Sequence, residues 1–462
     1  MGELYQKLTE YTKSDHYPYH MPGHKRQNRG NLLADMTELD ITEIEEFDDL
    51  HAPSGILERL QKKAAAAYGA EESFYLINGS TAGVLSAISA AVPEGGKLLM
   101  ARGCHRSAYH AVYLRRLKPV YLWTPLHPVF GCQMPVTPEQ VREALEAEEG
   151  IHAVLVVSPT YEGLTADIAG IAEVVHQKGL PLIVDEAHGA HLGFHPFWKE
   201  NSNRLGADLV IHSLHKTLFA PTQTALLHVN GDRIDRERLR RFLRIYQSSS
   251  PSYLFMAGIE EAIDKATEGK DLFDAFKGNW LWLLGQLEAC NNLAFLQEEN
   301  LDAGKLVIAD RTGSLTGKQL YNRLLKNYHL QMEMAAGNYV LAMFTIGDTK
   351  EGYERLAKAL LEIDRTCMGK GEKKWDSRIF RLESGSPLWR AWDADKKEIP
   401  LAQAKGHMAG DFICLYPPGC PLAVPGEYLT KEVCDFLEHS IACGYFLQGL
   451  SLKQGVPYIK IL

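Results

Sequence analysis

The stretch ADLVIHSLHKTL, Ala207 to Leu218, decides the reading of the fold. Its first half holds a short unbroken apolar run, the kind that suits a strand buried on both faces of a parallel sheet. Its second half turns polar and reaches a lysine, Lys216, between a histidine and a threonine. A lysine carried directly behind a buried strand enters a desolvated site. There its ammonium form is disfavoured and its amine becomes a nucleophile or Schiff-base former. The alternative is a side chain that reaches solvent along its aliphatic stem, the commoner fate of lysines.

The same texture repeats on both sides of this stretch. SGILERLQKKAAAAYG reads as a helix with Ser54 as N-cap and Gly69 as terminator, SFYLI as a strand, and STAGVLSAISAAV as a helix. TPEQVREALEAE carries a capping box, with Thr137 at the N-cap, Pro138 at N1 and Gln140 at N3. HAVLVV is a strand, a helix runs from Asp167 to Gly179, and PLIVD is another continuous apolar run. Strands alternating with amphipathic helices predict an α/β domain with a mainly parallel sheet. The expected organisation is an irregular N-terminal arm (1–53), a major domain (54–265), a smaller α+β domain (266–365) and a C-terminal unit (366–462). The last begins in the polar linker TCMGKGEKKWD and includes YPPGCPLAVPGE.

With 462 residues, 45% hydrophobic and 23% charged, the chain is an ordinary globular protein of two or three packed units. A net charge of −9 without a lysine/arginine block speaks against a nucleic-acid partner. No apolar run reaches membrane-spanning length, and MGELYQKLTEY lacks the apolar core of a signal peptide. The eight cysteines form no C-x-x-C pair and read as reduced thiols. A cytoplasmic protein with no membrane partner is expected.

In open parallel sheets, ligands bind beyond the carboxyl ends of the strands. Polar clusters follow five predicted strands: NGSTAG, RGCHRS, SPTYEG, DEAHGAH and HSLHKT. They are expected to converge on one face. NGSTAG opens a helix with small residues whose N–H groups and hydroxyls suit a phosphate. It lacks the P-loop lysine pattern. Taken alone, Ser80 and Thr81 read as simple N-caps. Asp185 ends an apolar strand and must find a partner there: a salt bridge, a turn to cap, or a protonated ring nitrogen. A lysine amine, a carboxylate and a helix start meet the needs of pyridoxal 5′-phosphate, with His105 placed to stack on its ring. Asp185, His188, His191, His212 and His215 admit a metal reading, but their spacing is loose and H-E-x-x-H is absent, so no metal is expected.

Through HMPGHKR, NGSTAG, VDEAHGAH, SLHKT followed by TQTALLH, QSSSPSYL and YPPGCPLAVPGE, nearly the whole chain resembles one family. It is the pyridoxal-phosphate-dependent ornithine/lysine/arginine decarboxylases, of the aspartate-aminotransferase fold (fold type I). The likeness is greatest to their short bacterial members, which lack the N-terminal wing domain. HKTLFAPTQ departs from the usual H-K-T-L-P-A-L-T-Q, and FDDLH from D-N-L-H, changes that bear on loop shape and substrate choice. The resemblance implies that Lys216 holds the cofactor, Asp185 pairs with its ring nitrogen and His105 stacks on its ring. It implies that Ser80, Thr81, Ser213 and His215 bind the phosphate, that Thr160 and His188 lie beside the ring, and that Ser249 or Ser250 reaches the phosphate from a neighbouring subunit of a homodimer.

The implied reaction is decarboxylation of a basic amino acid, arginine first, then lysine or ornithine; transamination and a non-catalytic protein on the same fold are the rivals. His215, Lys216 or a residue of the third unit would return the proton to Cα. Glu427, held in an apolar proline-rich loop, is the expected acceptor for the substrate's distal cation. Asp48, Asp49, Asp393 and Asp395 read as surface carboxylates.

Overall fold

The computed structural model describes residues 15–19, 47–369, 377–415 and 419–462; HMPGHKR and part of the expected linker lie outside the described residues. After a short strand β1 (Tyr17–Tyr19) come β2 (Glu72–Leu76), β3 (Lys97–Ala101), β4 (Lys118–Leu122), β5 (Ile151–Val157), β6 (Leu182–Asp185), β7 (Leu209–His212) and β8 (Ala225–Val229). Strands β2 to β8 form one seven-stranded sheet in the order β2-β8-β7-β6-β5-β3-β4. From β7 to β4 all neighbours run parallel, and β8 runs antiparallel to both of its own. Every residue of β6 and β7 is buried, which is why their sequences are continuous apolar runs rather than alternating ones.

Five further strands follow: β9 (Leu293–Phe295), β10 (Lys305–Asp310), β11 (Leu330–Met332), β12 (Met334–Ala336) and β13 (Tyr339–Met343). Four of them make an antiparallel sheet, β12-β13-β10-β9, while β1 pairs in parallel with β11. The C-terminal part carries two three-stranded sheets and the helix Lys431–Ala442. The cores cross these boundaries. Leu388, Phe412, Cys414 and Val424 pack into the core built on Leu98, Val154, Ile183 and Ile211. Leu57 and Tyr68, from the helix Ile56–Tyr68, join the core of β10 and β13. A single helix, Tyr253–Glu268, runs through the expected break at 265. Among the described residues, no helix is long and apolar enough to cross a membrane.

Local capping follows the sequence in two helices and departs from it in a third. The Thr137–Gln140 capping box is present, and the Asp167 side chain accepts from Gly170 N–H. Ser54, however, is not the cap of helix Ile56–Tyr68, whose N-cap is Gly55 without a side-chain bond of its own. Asp48 does the work instead. Its carboxylate accepts from the N–H groups of Ser54 (3.0 Å), Gly55 (2.7 Å) and Leu57 (3.0 Å), as well as that of Asp49 (3.0 Å). A carboxylate draws more from the unsatisfied N–H groups of a helix start than a hydroxyl does. Asp48 is thereby committed to the backbone rather than to a ligand.

Asp48→Ala is expected to lower stability by ~2 kcal/mol, the upper end for a lost cap, with added strain because Asp48 sits at φ 70°. Ser54→Ala should be close to neutral. Urea midpoints for the two variants measure this, and equal effects would restore Ser54 as the cap.

Candidate active site

The polar clusters behind β2, β3, β5, β6 and β7 all open into one cavity of about 540 Å³, a size ordinary for a small-molecule site. Ser80 and Thr81 enter from behind β2, His105 from behind β3, and Thr160, Tyr161 and Glu162 from behind β5. Asp185 and His188 follow β6, and His215 and Lys216 follow β7. Thr222 and Gln223, which lead into β8, complete this side. The opposite wall comes from Ala336, Gly337 and Tyr339 around β12 and β13, and from Arg378, Cys420 and Leu422 of the C-terminal part.

Lys216 lies at the end of the one-turn helix Leu214–Thr217, with its Nζ 3.1 Å from His188 Nε2. Burial lowers the pKa of its amine, against the opposing pull of Asp185, Glu333 and Cys420. Asp185 is 7% exposed and is the last residue of β6. Its carboxylate accepts from Ala187 N–H at 3.2 Å, and burial raises its pKa while Lys216 draws it down. His188 is buried between two lysines: Lys216 on Nε2, and Lys305, from the start of β10, on Nδ1 at 2.9 Å. The His188 pKa lies well below the usual imidazole value, from burial first and then from Lys216 and Lys305.

The remaining expected residues divide. His105 caps helix Arg106–Leu114 through Nδ1, which takes Ser107 N–H at 3.2 Å, and its ring is open to the cavity. His215 Nδ1 donates to Thr224 O at 2.9 Å, so its Nε2 is the acceptor, and burial pushes its pKa down to about 4. Thr160 Oγ1 accepts from Leu164 N–H. Ser80 and Thr81 are not caps: helix Gly79–Ala91 begins one residue earlier, with Asn78 at the N-cap making no side-chain cap bond. Asn78 Oδ1 instead accepts from Ser248 N–H at 3.0 Å. Gly79, at φ 73°, lets its own N–H reach Gln223 O at 2.8 Å and ties the two loops together. Ser213 Oγ is fully buried with no hydrogen-bond partner. Ser249 and Ser250 are exposed and stand outside the cavity lining.

Glu427 is placed differently from expectation. It is 2% exposed, and its carboxylate takes Arg102 Nη2 at 3.0 Å and Val424 N–H at 2.9 Å. Arg102 is itself enclosed by Tyr109, Tyr121 and Trp123, with its guanidinium carbon 5.0 Å from the Tyr121 ring centre. The buried carboxylate does require a cation, but the chain supplies it from behind β3. The loose metal set also separates. His191 pairs with Asp302 at 3.0 Å, His212 with Glu186 at 2.8 Å, and His188 with its two lysines.

Sequence reasoning missed Lys305, Glu162, Glu333 and Arg378. Glu162 lines the cavity, accepts from Tyr339 Oη at 2.5 Å and feels the Lys305 charge. Glu333 accepts from Tyr161 Oη, and its field reaches Lys216. Lys305 opens a strand, KLVIAD, whose next four residues are buried and apolar; a lysine at the head of such a run was the available signal.

With this geometry in hand, comparison with known proteins is direct. The Orn/Lys/Arg decarboxylase major domain matches residues 2–281, and the C-terminal domain of the same family matches residues 389–451. Arginine decarboxylase of Bacillus subtilis (strain 168) is 28% identical over 96% of this chain and 95% of its own length. The constitutive lysine decarboxylase of Escherichia coli (strain K12) is 24% identical over 98% of this chain and 80% of its own. Its solved structure superposes with a TM-score of 0.79, covering 100% of this chain and 82% of that one at 21% identity. The alanine–glyoxylate aminotransferase structure from Nostoc sp. shares the fold more distantly, with a TM-score of 0.55, 17% identity and coverage of 66% and 86%. This is the fold-type-I architecture of pyridoxal-phosphate enzymes, and the chain belongs to the Orn/Lys/Arg decarboxylase family.

Proposed function

We propose that the protein decarboxylates a basic amino acid, arginine before lysine or ornithine, using pyridoxal 5′-phosphate held on Lys216 in the cytoplasm. The observation that carries this is the placement of an amine of lowered pKa and a buried carboxylate on adjacent strand ends of one cavity. The residues fit the cofactor. Asp185 offers a carboxylate that accepts from the Ala187 N–H, Ser213 a buried hydroxyl awaiting a partner, and the helix start at Gly79 N–H groups not capped by Asn78. When bound, the cofactor supplies an electron sink for the pair released as the carboxylate leaves.

The chain's own residues divide the remaining work. Lys216 would hold the cofactor through its amine, and burial, by lowering the pKa of that amine, favours the unprotonated form that such a bond needs. Asp185, buried at the end of β6, would hold a proton on the cofactor's ring nitrogen. His215 spends its Nδ1–H on Thr224 O and keeps a bare Nε2, so it takes protons rather than giving them. The proton returned to Cα would then come from Lys216 or from a residue of the C-terminal part, which also lines the cavity. Among the described residues, Glu162 is the carboxylate other than Asp185 that lines the cavity, which makes it the candidate acceptor for a distal cation.

A second reading is transamination, because exposed Arg378 lines the cavity and an arginine on the substrate carboxylate would favour retaining it. Carbon dioxide measured against keto-acid product, across arginine, lysine, ornithine and neutral amino acids, decides between the two.

Lys216→Ala is expected to abolish turnover and the cofactor's visible absorbance while the protein keeps its far-UV circular dichroism. Near-normal turnover would end the proposal. Asp185→Asn should retain cofactor through gel filtration yet run at least tenfold slower, since a buried charge-assisted hydrogen bond is worth about 1.5–3 kcal/mol. Undiminished rates would remove Asp185 from this role.

Shared sites in a homodimer are supported by the serine loop. Ser248 is tied to Asn78, while Ser249 and Ser250 are exposed and do not line the cavity of their own chain. Mixing a Lys216→Ala chain with one carrying Ser249→Ala and Ser250→Ala should restore part of the wild-type activity, because one site of the mixed dimer is intact. Verified subunit exchange without recovery would refute sharing through these serines.

A further inference from the structure

Lys305 is a buried lysine with no part in the reading above. It starts β10, is 1% exposed, and its Nζ lies 2.9 Å from His188 Nδ1. The approach is built into the backbone. Gly163 stands at φ 103°, and a Cβ there would collide with Lys305 Cγ, so the stem passes where only glycine leaves room.

His188 therefore has a lysine on each ring nitrogen, with Lys216 Nζ 3.1 Å from Nε2. A neutral imidazole carries one N–H donor and one bare acceptor, whereas an ammonium only donates. Two ammonium groups would need two bare nitrogens on one ring, an imidazolate. One of the lysines must consequently be a neutral amine that accepts from the ring. The surroundings decide which. Lys305 lies in the field of two buried carboxylates, Glu162 and Asp302, the second of which also holds His191. Lys216 faces Asp185, Glu333 and Cys420, but also the imidazoles of His105, His215 and His188.

We propose that Lys305 is a positioning residue: as a donor-only ammonium it claims His188 Nδ1, fixes the ring as the Nε2–H tautomer, and so presents a hydrogen-bond donor to Lys216 that keeps it an unprotonated amine. The inference deepens the reading of Lys216 as the cofactor lysine and rests on it for its catalytic meaning. Protonating Lys216 would require His188 to move its proton to Nδ1, against Lys305. The lowered pKa of Lys216 agrees with this arrangement.

The test uses the full-length chain, freed of any cofactor by a competing amine and dialysis. Labelling of Lys216 by an amine-reactive acetylating reagent, read on its peptide by mass spectrometry, is followed against pH. Lys305→Met removes the donor, and Lys305→Gln replaces it with an amide that donates or accepts. Both should raise the labelling midpoint by about one pH unit, about tenfold slower labelling at a fixed pH below it. Lys305→Arg, again donor-only, should retain the wild-type midpoint. Independently of any variant, ¹⁵N spectra of histidine-labelled wild type, with His188 assigned by His188→Gln, should show the proton on Nε2. Unchanged midpoints in folded Met and Gln variants, or a proton on Nδ1 in the wild type, would overturn the proposal. If the protein never binds pyridoxal phosphate while Lys305→Met still shifts the midpoint, the cofactor reading fails and the Lys305 assignment stands.

Discussion

The register of β6 against β7 is the constraint on which the site depends. Asp185 lies opposite Ile211, so the carboxylate and the turn that carries Lys216 leave the sheet side by side. Both strands are buried throughout, and their apolar contacts hold this register because a slip of one residue would turn every core side chain to the wrong face. The chemistry at the strand ends thus inherits its precision from residues such as Val184 and Val210, which pair with each other and line no part of the cavity.

The residues beside that constraint show how closely it is drawn. Glu186 follows Asp185, yet it serves a different network: it meets His212 at 2.8 Å and Ser202, and His212 passes on to His228 at 3.0 Å and thence to Ser73 at 2.6 Å. Tyr68 packs against both imidazoles. Burial lifts the Glu186 carboxyl to about 8 and depresses His212 to about 3, so this chain of hydrogen bonds is essentially neutral near pH 7. Two acidic neighbours in DEAH therefore divide into a cavity group and a structural one.

Local signals were legible in the sequence where the responsible atoms are close along the chain. The continuous apolar runs, the Thr137 capping box and the five polar clusters behind strands all follow from neighbouring residues, and the structure brings those clusters to one cavity. The Lys216 and Asp185 pair was legible for the same reason. What escaped depends on distant partners. Glu427 was expected to receive the substrate's distal cation, and nothing near it in sequence pointed to Arg102. Asp48 looked like a surface acid because the N–H groups it caps belong to a helix that begins beyond an intervening turn. Lys305 lies in the sheet of β9, β10, β12 and β13 while His188 follows β6 of the seven-stranded sheet, so the apolar run that marks Lys305 as drawn inward does not say which residue it meets.

These buried charges bear on how the protein can be stable at all. Taking an isolated ion out of water costs several kcal/mol or more, and a pair seldom returns more than that. Here two buried cations are matched: Arg102 by Glu427, and Lys305 by the fields of Glu162 and Asp302. Such pairs add little net stability, which must come from the two large apolar cores. What the pairs do provide is a cost for disassembly, since removing one member leaves the other desolvated and unmatched. The pairs also join different parts of the chain. Arg102 behind β3 holds Glu427 of the C-terminal part, and Lys305 of β10 holds His188 behind β6. The cavity is walled by three parts of the chain, and the same buried charges that make it costly keep those walls in register around Lys216.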